Sequence, residues 1–112
     1  MEVKAITKYV RISPDKARHV ARLLQGKTAV EALRQVDLIP RKAARLFSKT
    51  LRSAIANAEH NHEMSVDALF VQEAVVGEGP RLKRFRPKAR GMAGRITKRT
   101  SHLRITLTDD QN

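Results

Sequence analysis

Two stretches of the chain alternate apolar and polar residues, and a third is rich in β-branched residues, which together predict three strands. The first stretch is residues 2–12, EVKAITKYVRI, in which every second residue from Val3 to Tyr9 shares one side. The β-branched stretch is residues 65–76, SVDALFVQEAVV. The last is residues 102–108, HLRITLT, whose apolar residues face inward and whose arginine and threonines face outward.

Between the first two predicted strands, apolar residues recur every three or four positions, which predicts helices. Ser13, Pro14 and Asp15 mark the start of the first helix, as a cap, a residue suited to the first helical position and an acid at the positive end of the helix dipole. Gly26 ends this helix. Its apolar stripe consists of Ala17, Val20, Ala21 and Leu24.

Two more helices are predicted before the second strand. Thr28 and Glu31 have the spacing of a capping box, which opens a short helix expected to bury Val30, Leu33 and Val36. Pro40 then opens a long helix from about residue 41 to about residue 60. Its apolar side consists of Ala43, Ala44, Phe47, Leu51, Ala54, Ile55 and Ala58.

About two dozen residues separate the last two predicted strands, and they contain repeated Gly and Pro. Loops of this length in compact domains are usually functional or disordered. The apolar residues Leu82, Phe85 and Ile96 favour a protruding hairpin, whose limbs would reach roughly 30 Å at ~3.3 Å per residue. We therefore expect a single domain with a globular body (1–76 and 102–108), a hairpin arm (77–101) and a flexible tail (109–112).

The charge of the chain is concentrated in this arm. The whole chain has 23 Lys and Arg against 11 Asp and Glu, a net charge of +12, yet residues 80–104 contain ten basic residues and no acidic one. Such an imbalance indicates a nucleic acid, an anionic membrane or an acidic protein as partner. An isolated hairpin is marginally stable, and like charges on it repel, so we expect a polyanion to hold the arm, with salt-dependent affinity.

Two groups of basic residues on the helices suggest that the body also faces phosphate. One forms a stripe nearly opposite the apolar side of the long helix, with no acid inside the stripe to pair with it. The other lies on the first helix. The two groups are Lys42, Arg45, Lys49 and Arg52, and Lys16, Arg18 and Arg22.

Several function classes find little support. The chain has no cysteine, no apolar run near the ~20 residues that cross a bilayer, and no apolar signal core, so a cytoplasmic location is the default. His60 and His62 lack a third metal ligand at typical spacing. No motif of a hydrolase, nucleotide-binding loop or metalloprotease is present. The four aromatic residues are too few for a platform that stacks single-stranded bases.

Four segments resemble the bacterial large-subunit ribosomal protein family numbered twenty-two, the universal family of the peptide exit tunnel. They are RISPDKARHVARLLQGK (11–27), SAIANAEHN (53–61), GPRLKRFRPKARGMAGRI (79–96) and KRTSHLRITL (98–107). The resemblance runs in order from about residue 3 to 108. Met92 and Lys88 depart from it, because the family usually has Arg at both positions.

The resemblance implies an α+β fold, with three helices packed on a small antiparallel three-stranded sheet and one long protruding β-hairpin. It implies a structural, non-enzymatic constituent of the large ribosomal subunit that binds 23S-type RNA and aids assembly. The body would lie near the tunnel exit and the hairpin would line the tunnel. The expected partners are large-subunit RNA, neighbouring ribosomal proteins and the nascent polypeptide, with no membrane, cofactor or small-molecule substrate.

The candidate site residues follow from both arguments. In the arm and at its base, the residues expected to contact RNA are Arg81, Lys83, Arg84, Arg86, Lys88, Arg90, Arg95, Lys98, Arg99, Ser101 and His102. The basic residues of the two helices would add surface contacts. By resemblance, the residues expected to line the tunnel are Leu82, Lys83, Arg84, Lys88, Ala89, Arg90, Gly91, Met92 and Ala93.

Two other functions compete with this interpretation. An architectural DNA-binding protein also uses basic β-arms, but such proteins usually dimerise and insert an apolar wedge, and Phe85 is the arm's only aromatic residue. A membrane-surface module would need a bulky apolar face opposite the cations, which the arm lacks. Competition with duplex DNA and liposome co-sedimentation separate these alternatives from RNA binding.

Overall fold

The computed structural model describes residues 2–80, 82–87 and 93–109, with the side chains of residues 2–80 and 98–109. These residues form five strands, three α-helices and one short 3₁₀ helix. In chain order they are β1 (Glu2–Val10), α1 (Pro14–Leu24), α2 (Ala29–Leu38), α3 (Lys42–His62), the 3₁₀ helix (Val66–Ala68), β2 (Phe70–Glu78), β3 (Leu82–Pro87), β4 (Ala93–Lys98) and β5 (Ser101–Thr108).

The body is a three-stranded antiparallel sheet in the order β1-β5-β2. Helix α3 packs against β1 and β5, α1 packs against β2, and α2 packs against α3. The predicted fold class, three helices on a small antiparallel sheet, is confirmed. The arm leaves the body at the end of β2 and returns to it at the start of the central strand β5.

The core lies between α3 and the central strand. The predicted inward residues of β5, Leu103, Ile105 and Leu107, are all fully buried. The predicted apolar side of α3 is also buried, with Phe47 and Leu51 at 0 % exposure. Burying a large aliphatic or aromatic side chain stabilises the fold by about 1.5–3 kcal/mol, so these two elements carry much of the driving force for folding.

The helix-end signals have mixed outcomes. The Thr28 hydroxyl accepts a hydrogen bond from the Glu31 N–H at 3.2 Å, as the capping box predicts. Gly26 adopts a left-handed conformation (φ 81°) just after α1. The Ser13 side chain, by contrast, makes no capping bond to any described residue, although its backbone carbonyl accepts the first helical hydrogen bond, from the Ala17 N–H at 3.2 Å. The prediction of a side-chain cap at Ser13 was therefore wrong.

The buried face of α2 differs from the prediction. Ala29, Ala32 and Val36 are buried, whereas Val30 and Leu33 are only half-buried. Positions 29, 32 and 36 form a tight stripe at helical spacing, and Val30 and Leu33 lie on its flank. Small residues at the centre of this stripe let α2 approach its neighbours closely.

Two strand predictions need correction. Residues 66–68 of the predicted second strand form the 3₁₀ helix, and β2 begins only at Phe70. The outward threonines of β5 are not exposed, because Thr106 and Thr108 are 2 % and 6 % exposed. Thr106 lies opposite Lys4 of β1 and Glu73 of β2, so both neighbouring strands cover it in the centre of the sheet.

Strands β3 and β4 form a separate two-stranded antiparallel sheet, with Leu82 opposite Lys98 and Pro87 opposite Ala93. The molecule measures 61 × 25 × 22 Å and its radius of gyration is 17.0 Å. A compact domain of this length would have a radius of gyration of about 13 Å. The chain is therefore elongated, as a body with a projecting hairpin would be.

Candidate nucleic-acid interface

The chain passes from the body sheet into the hairpin through two short segments, residues 79–80 and 98–100, which we call the neck. The Gly79 N–H donates to the Thr100 carbonyl at 3.0 Å, and the Thr100 hydroxyl donates to the Pro80 carbonyl at 2.6 Å. Thr100 is buried, and a Cβ on Gly79 would lie only 2.4 Å from the Thr100 Oγ1. Close contact between the two segments thus fixes where the arm begins.

Two further hydrogen bonds fix the connection between β1 and α1 beside the neck. The buried Ser101 hydroxyl donates to the Ile12 carbonyl at 2.7 Å. The Lys42 Nζ, at the start of α3, donates to the Arg11 carbonyl at 2.8 Å. The start of β5, the start of α3 and the β1–α1 connection therefore meet at one place.

A concave pocket of about 560 Å³ lies at this meeting point. We call it the neck pocket, and it is lined by Arg11, Ile12, Ser13, Lys16, Lys42, Lys98 and Arg99. Five of these seven residues are cationic, and none of the described residues that line it carries a carboxylate. Small-molecule sites of this size are usually lined by apolar groups, so the lining of the neck pocket suits a phosphate-bearing segment better.

The positions of these cations add to the positive potential. Lys16 lies in the first turn of α1, and Lys42 is the first residue of α3. The N-terminus of a helix carries the positive end of its dipole, so a cation there is repelled rather than stabilised. In addition, the first turn of α3 has no acidic residue. A bound anion would relieve this repulsion and would meet unpaired backbone N–H groups at the helix starts.

The predicted stripe on α3 is divided between two places. Lys42 lies in the neck pocket, while Arg45, Lys49 and Arg52 line a groove between α2 and α3 that also contains Asp37. The guanidinium of Arg52 contacts the Asp37 carboxylate at 3.1 Å. The sequence reasoning found no acid within the stripe, and it missed this one because Asp37 comes from another helix.

The cations of α1 are also divided. Lys16 lines the neck pocket, whereas Arg18 pairs with Asp15 one turn earlier, at 3.4 Å. Arg22 is exposed near the end of α1. Only Lys16 of this set is therefore brought together with the cations of the neck.

The side chains of Ser101 and His102 are engaged within the protein, although the sequence suggested that they contact RNA. Ser101 is fully buried and its hydroxyl is used on the Ile12 carbonyl, so its side chain has no surface to offer RNA. His102 is half-buried, and its Nδ1 accepts a hydrogen bond from the Tyr9 N–H at 3.1 Å. We therefore remove Ser101 from the candidate interface and treat His102 as a positioning residue.

The structure describes only part of the arm. Of the predicted arm residues, Lys98 and Arg99 line the neck pocket. The backbone strands carry Leu82, Lys83, Arg84 and Arg86 on β3 and Ala93 and Arg95 on β4. The remaining predicted residues lie outside the described residues: Arg81, Lys88, Ala89, Arg90, Gly91 and Met92.

Sequence reasoning missed one cation of the neck pocket, Arg11. The signal that could have found it is its position directly between a predicted strand and the helix start at Ser13. The segment that joins β1 to α1 lies beside both elements. Its proximity to Lys42 and Lys98 depends on the tertiary fold.

Neither a membrane-spanning helix nor a metal site is present in the described part of the chain. Its helices include none with the length and apolar character needed to cross a bilayer. Across the same residues, no three His, Asp or Glu side chains come together as metal ligands, and His60 and His62 lie exposed at the end of α3.

Comparison with known proteins gives a consistent family. Residues 5–108 match the model of the family described as ribosomal protein L22p/L17e. The protein named large ribosomal subunit protein uL22 of Opitutus terrae is 55% identical, covering 97% of this chain and 96% of that protein. The uL22 proteins of Halothermothrix orenii and Methylacidiphilum infernorum are each 51% identical, covering 97% and 100% of this chain and 96% and 98% of their own lengths.

Proposed function

We propose, from the premise that this chain belongs to the ribosomal protein L22p/L17e family, that it binds large-subunit RNA through its arm and its neck pocket. Membership in that family makes the chain a structural constituent of the large ribosomal subunit in the cytoplasm, and not an enzyme. The proposal adds which surfaces meet the RNA and what the hairpin does there.

The neck pocket is the observation that carries the proposal. Five cations from three separate segments of the chain converge on one concavity at the base of the arm. Gathering like charges in this way is unfavourable in the isolated protein, and phosphate would neutralise them and release counterions. Arg11 and Arg99 can meet a phosphate with two parallel N–H donors, whereas the lysines act as point charges.

The arm extends the same surface. Residues 80–104 contain ten basic residues and no acidic one, and the hairpin strands pair with each other rather than with the body sheet. We propose that RNA surrounds this arm and aids its ordering during subunit assembly. Residues 77–101 would act as the arm, 1–76 and 102–108 as the body, and 109–112 as a tail.

The proposed place of the hairpin in the ribosome is the wall of the nascent-peptide tunnel, with the body near the tunnel exit. The residues proposed to line the tunnel are Leu82, Lys83, Arg84, Lys88, Ala89, Arg90, Gly91, Met92 and Ala93. The nascent polypeptide and neighbouring ribosomal proteins would then be partners in addition to RNA. This part of the proposal comes from the family resemblance and from the position of the hairpin beyond the neck.

Titration of the full-length protein with large-subunit RNA fragments across a range of KCl concentrations tests the proposal. Each phosphate contact contributes about 0.7–0.9 to the slope of log affinity against log salt. Lys16→Gln and Arg99→Gln should each weaken binding and reduce this slope by nearly that amount. Arg34→Gln, an exposed cation on α2 outside the neck pocket, is the matched control for charge.

Two results would contradict the proposal. One is an affinity for RNA that does not change with salt. The other is an equal effect of all three substitutions, because net charge alone would then explain binding. Competition with duplex DNA is run in parallel, and a preference for the DNA would favour the architectural alternative.

A further inference from the structure

Tyr9 lies in an unusual backbone conformation at the end of β1. Its φ is 58°, in the left-handed region that bulky side chains rarely adopt. The pairing of β1 with β5 shifts register between Thr7 and Val10, so Tyr9 occupies a β-bulge. Glycine usually takes a left-handed position in such bulges. Strain of this kind persists where the surroundings enforce it, and it points to a functional role.

His102 holds this conformation from the neighbouring strand. Its Nδ1 accepts the Tyr9 N–H at 3.1 Å, which leaves the ring proton on Nε2. The two rings meet at 90° with centroids 4.9 Å apart. A single histidine in this T-shaped arrangement covers at most one face of the tyrosine ring. The hydrogen bond therefore holds the Tyr9 backbone, and the aromatic contact fixes the direction of its ring.

The tyrosine ring is nevertheless open to a partner. Tyr9 is 64% exposed, although tyrosine side chains are on average intermediate in burial. It lies one residue after the exposed Lys8 and two before Arg11, which lines the neck pocket. An exposed ring held in place two residues before a residue of a cationic pocket suits an unpaired base, with phosphates held by the cations and the base stacked on the ring.

We propose that Tyr9 is a stacking site for one unpaired nucleobase of the RNA whose phosphates occupy the neck pocket. The inference rests on the proposed function and adds a base contact to its phosphate contacts. It concerns one base and not a run of bases, because the chain has only four aromatic residues. His102 is then a positioning residue that aims the ring.

Tyr9 is the only tyrosine and the chain has no tryptophan, so its intrinsic emission reports this ring alone. The full-length protein is titrated with oligoadenylate RNA and with an abasic oligomer of the same length, and absorption by RNA is corrected with N-acetyltyrosinamide. Both oligomers should bind. Only oligoadenylate should quench the Tyr9 emission, because only it has bases to stack.

Affinity measurements on two variants complete the test. Tyr9→Phe keeps the ring and should bind oligoadenylate like the wild type. Tyr9→Asn should fold, because asparagine tolerates the left-handed region, and it should bind oligoadenylate about five-fold or more weakly. Its affinity for the abasic oligomer should not change.

The outcomes separate the two proposals. If both oligomers bind and the Tyr9 emission stays constant, the stacking site is wrong and RNA binding stands. The exposed ring would then be free to contact a protein neighbour. If neither oligomer binds, the stacking site is wrong, and the titration with large-subunit RNA fragments decides the proposed function separately. Equal weakening of the two oligomers by Tyr9→Asn also overturns the stacking site, because that effect would not depend on a base.

Discussion

At the scale of single residues, the neck depends on a position with no side chain. Gly79 lies against the buried Thr100, whose hydroxyl is already used on the Pro80 carbonyl. A Cβ at position 79 would also lie 3.3 Å from the Cε1 of His102. Since both neighbours are held by hydrogen bonds, neither can move away without losing one.

We predict that Gly79→Ala lowers the free energy of unfolding by about 1–3 kcal/mol, the usual cost of overpacking. Urea unfolding followed by circular dichroism measures it. Gly77→Ala is the matched control, because a Cβ there would meet His102 only at an ordinary 3.9 Å. It should stay within about 0.5 kcal/mol of the wild type. Similar losses in the two variants would show that the neck is not tightly packed.

At the scale of elements, α2 partly neutralises the basic stripe of α3. Asp37 contacts the Arg52 guanidinium at 3.1 Å and also accepts the Ser48 hydroxyl at 3.2 Å. Arg52 in turn donates from its Nε to the Ser48 Oγ at 3.3 Å. One of the three cations of the α2–α3 groove is therefore engaged within the protein before any partner arrives.

We predict that Asp37→Asn increases affinity for large-subunit RNA, because it removes a negative charge from the groove and releases Arg52. Stability should fall by less than about 1 kcal/mol, since the pair is largely exposed. RNA titration and urea unfolding of the same sample measure both effects.

Asp67→Asn, in the 3₁₀ helix, makes the same change of charge outside the groove. It should raise affinity by less than Asp37→Asn does. An equal gain from the two substitutions would mean that only net charge matters and that the α2–α3 groove does not face RNA.

The elements themselves follow closely from the sequence. The apolar stripe of α3 and the alternation of β5 are long and regular, and their predicted inward residues are buried as expected. Predictions from local sequence were wrong for one helix cap and for the exposure of the threonines of β5. Ser13 precedes α1 without a side-chain capping bond, and Thr106 is covered by the strands on both sides of β5.

The sequence identified most basic residues of the candidate site but not their arrangement in space. Lys16, Lys42, Lys98 and Arg99 could be named as basic residues, but their convergence depends on where β1, α3 and β5 meet. The ion pair of Arg52 with Asp37 is equally a product of packing between two helices. Positive φ at Tyr9 leaves no trace in a hydrophobic pattern, since the residue fits the alternation of a strand.

At the scale of the whole molecule, the core and the charge lie in different parts of the chain. Among the residues whose side chains the structure describes, 2–80 and 98–109, the buried hydrophobic core consists of residues of the body between Val3 and Leu107. Removing residues 80–99 would remove nine basic residues and change the net charge from +12 to +3. The fold of the body and the attraction to RNA should therefore be separable.

The Gly79–Thr100 hydrogen bond marks the point at which the arm can be removed from the body. Replacing residues 80–99 with Asn-Gly creates a two-residue turn that favours a tight hairpin between β2 and β5. We predict that this variant unfolds cooperatively and loses about 1 kcal/mol, mainly through loss of the bond from Thr100 to the Pro80 carbonyl. Circular dichroism during thermal unfolding measures this.

The same variant tests how the arm acts in the assembled particle. With nine fewer cations it should bind large-subunit RNA with a much shallower salt dependence, because fewer counterions are released. In a sucrose gradient of cell extract, the tagged wild-type chain should migrate with large subunits and the tagged variant should remain near the top. A variant that is folded and still migrates with large subunits would show that the body alone secures the chain. The arm would then not be what anchors the protein in the particle.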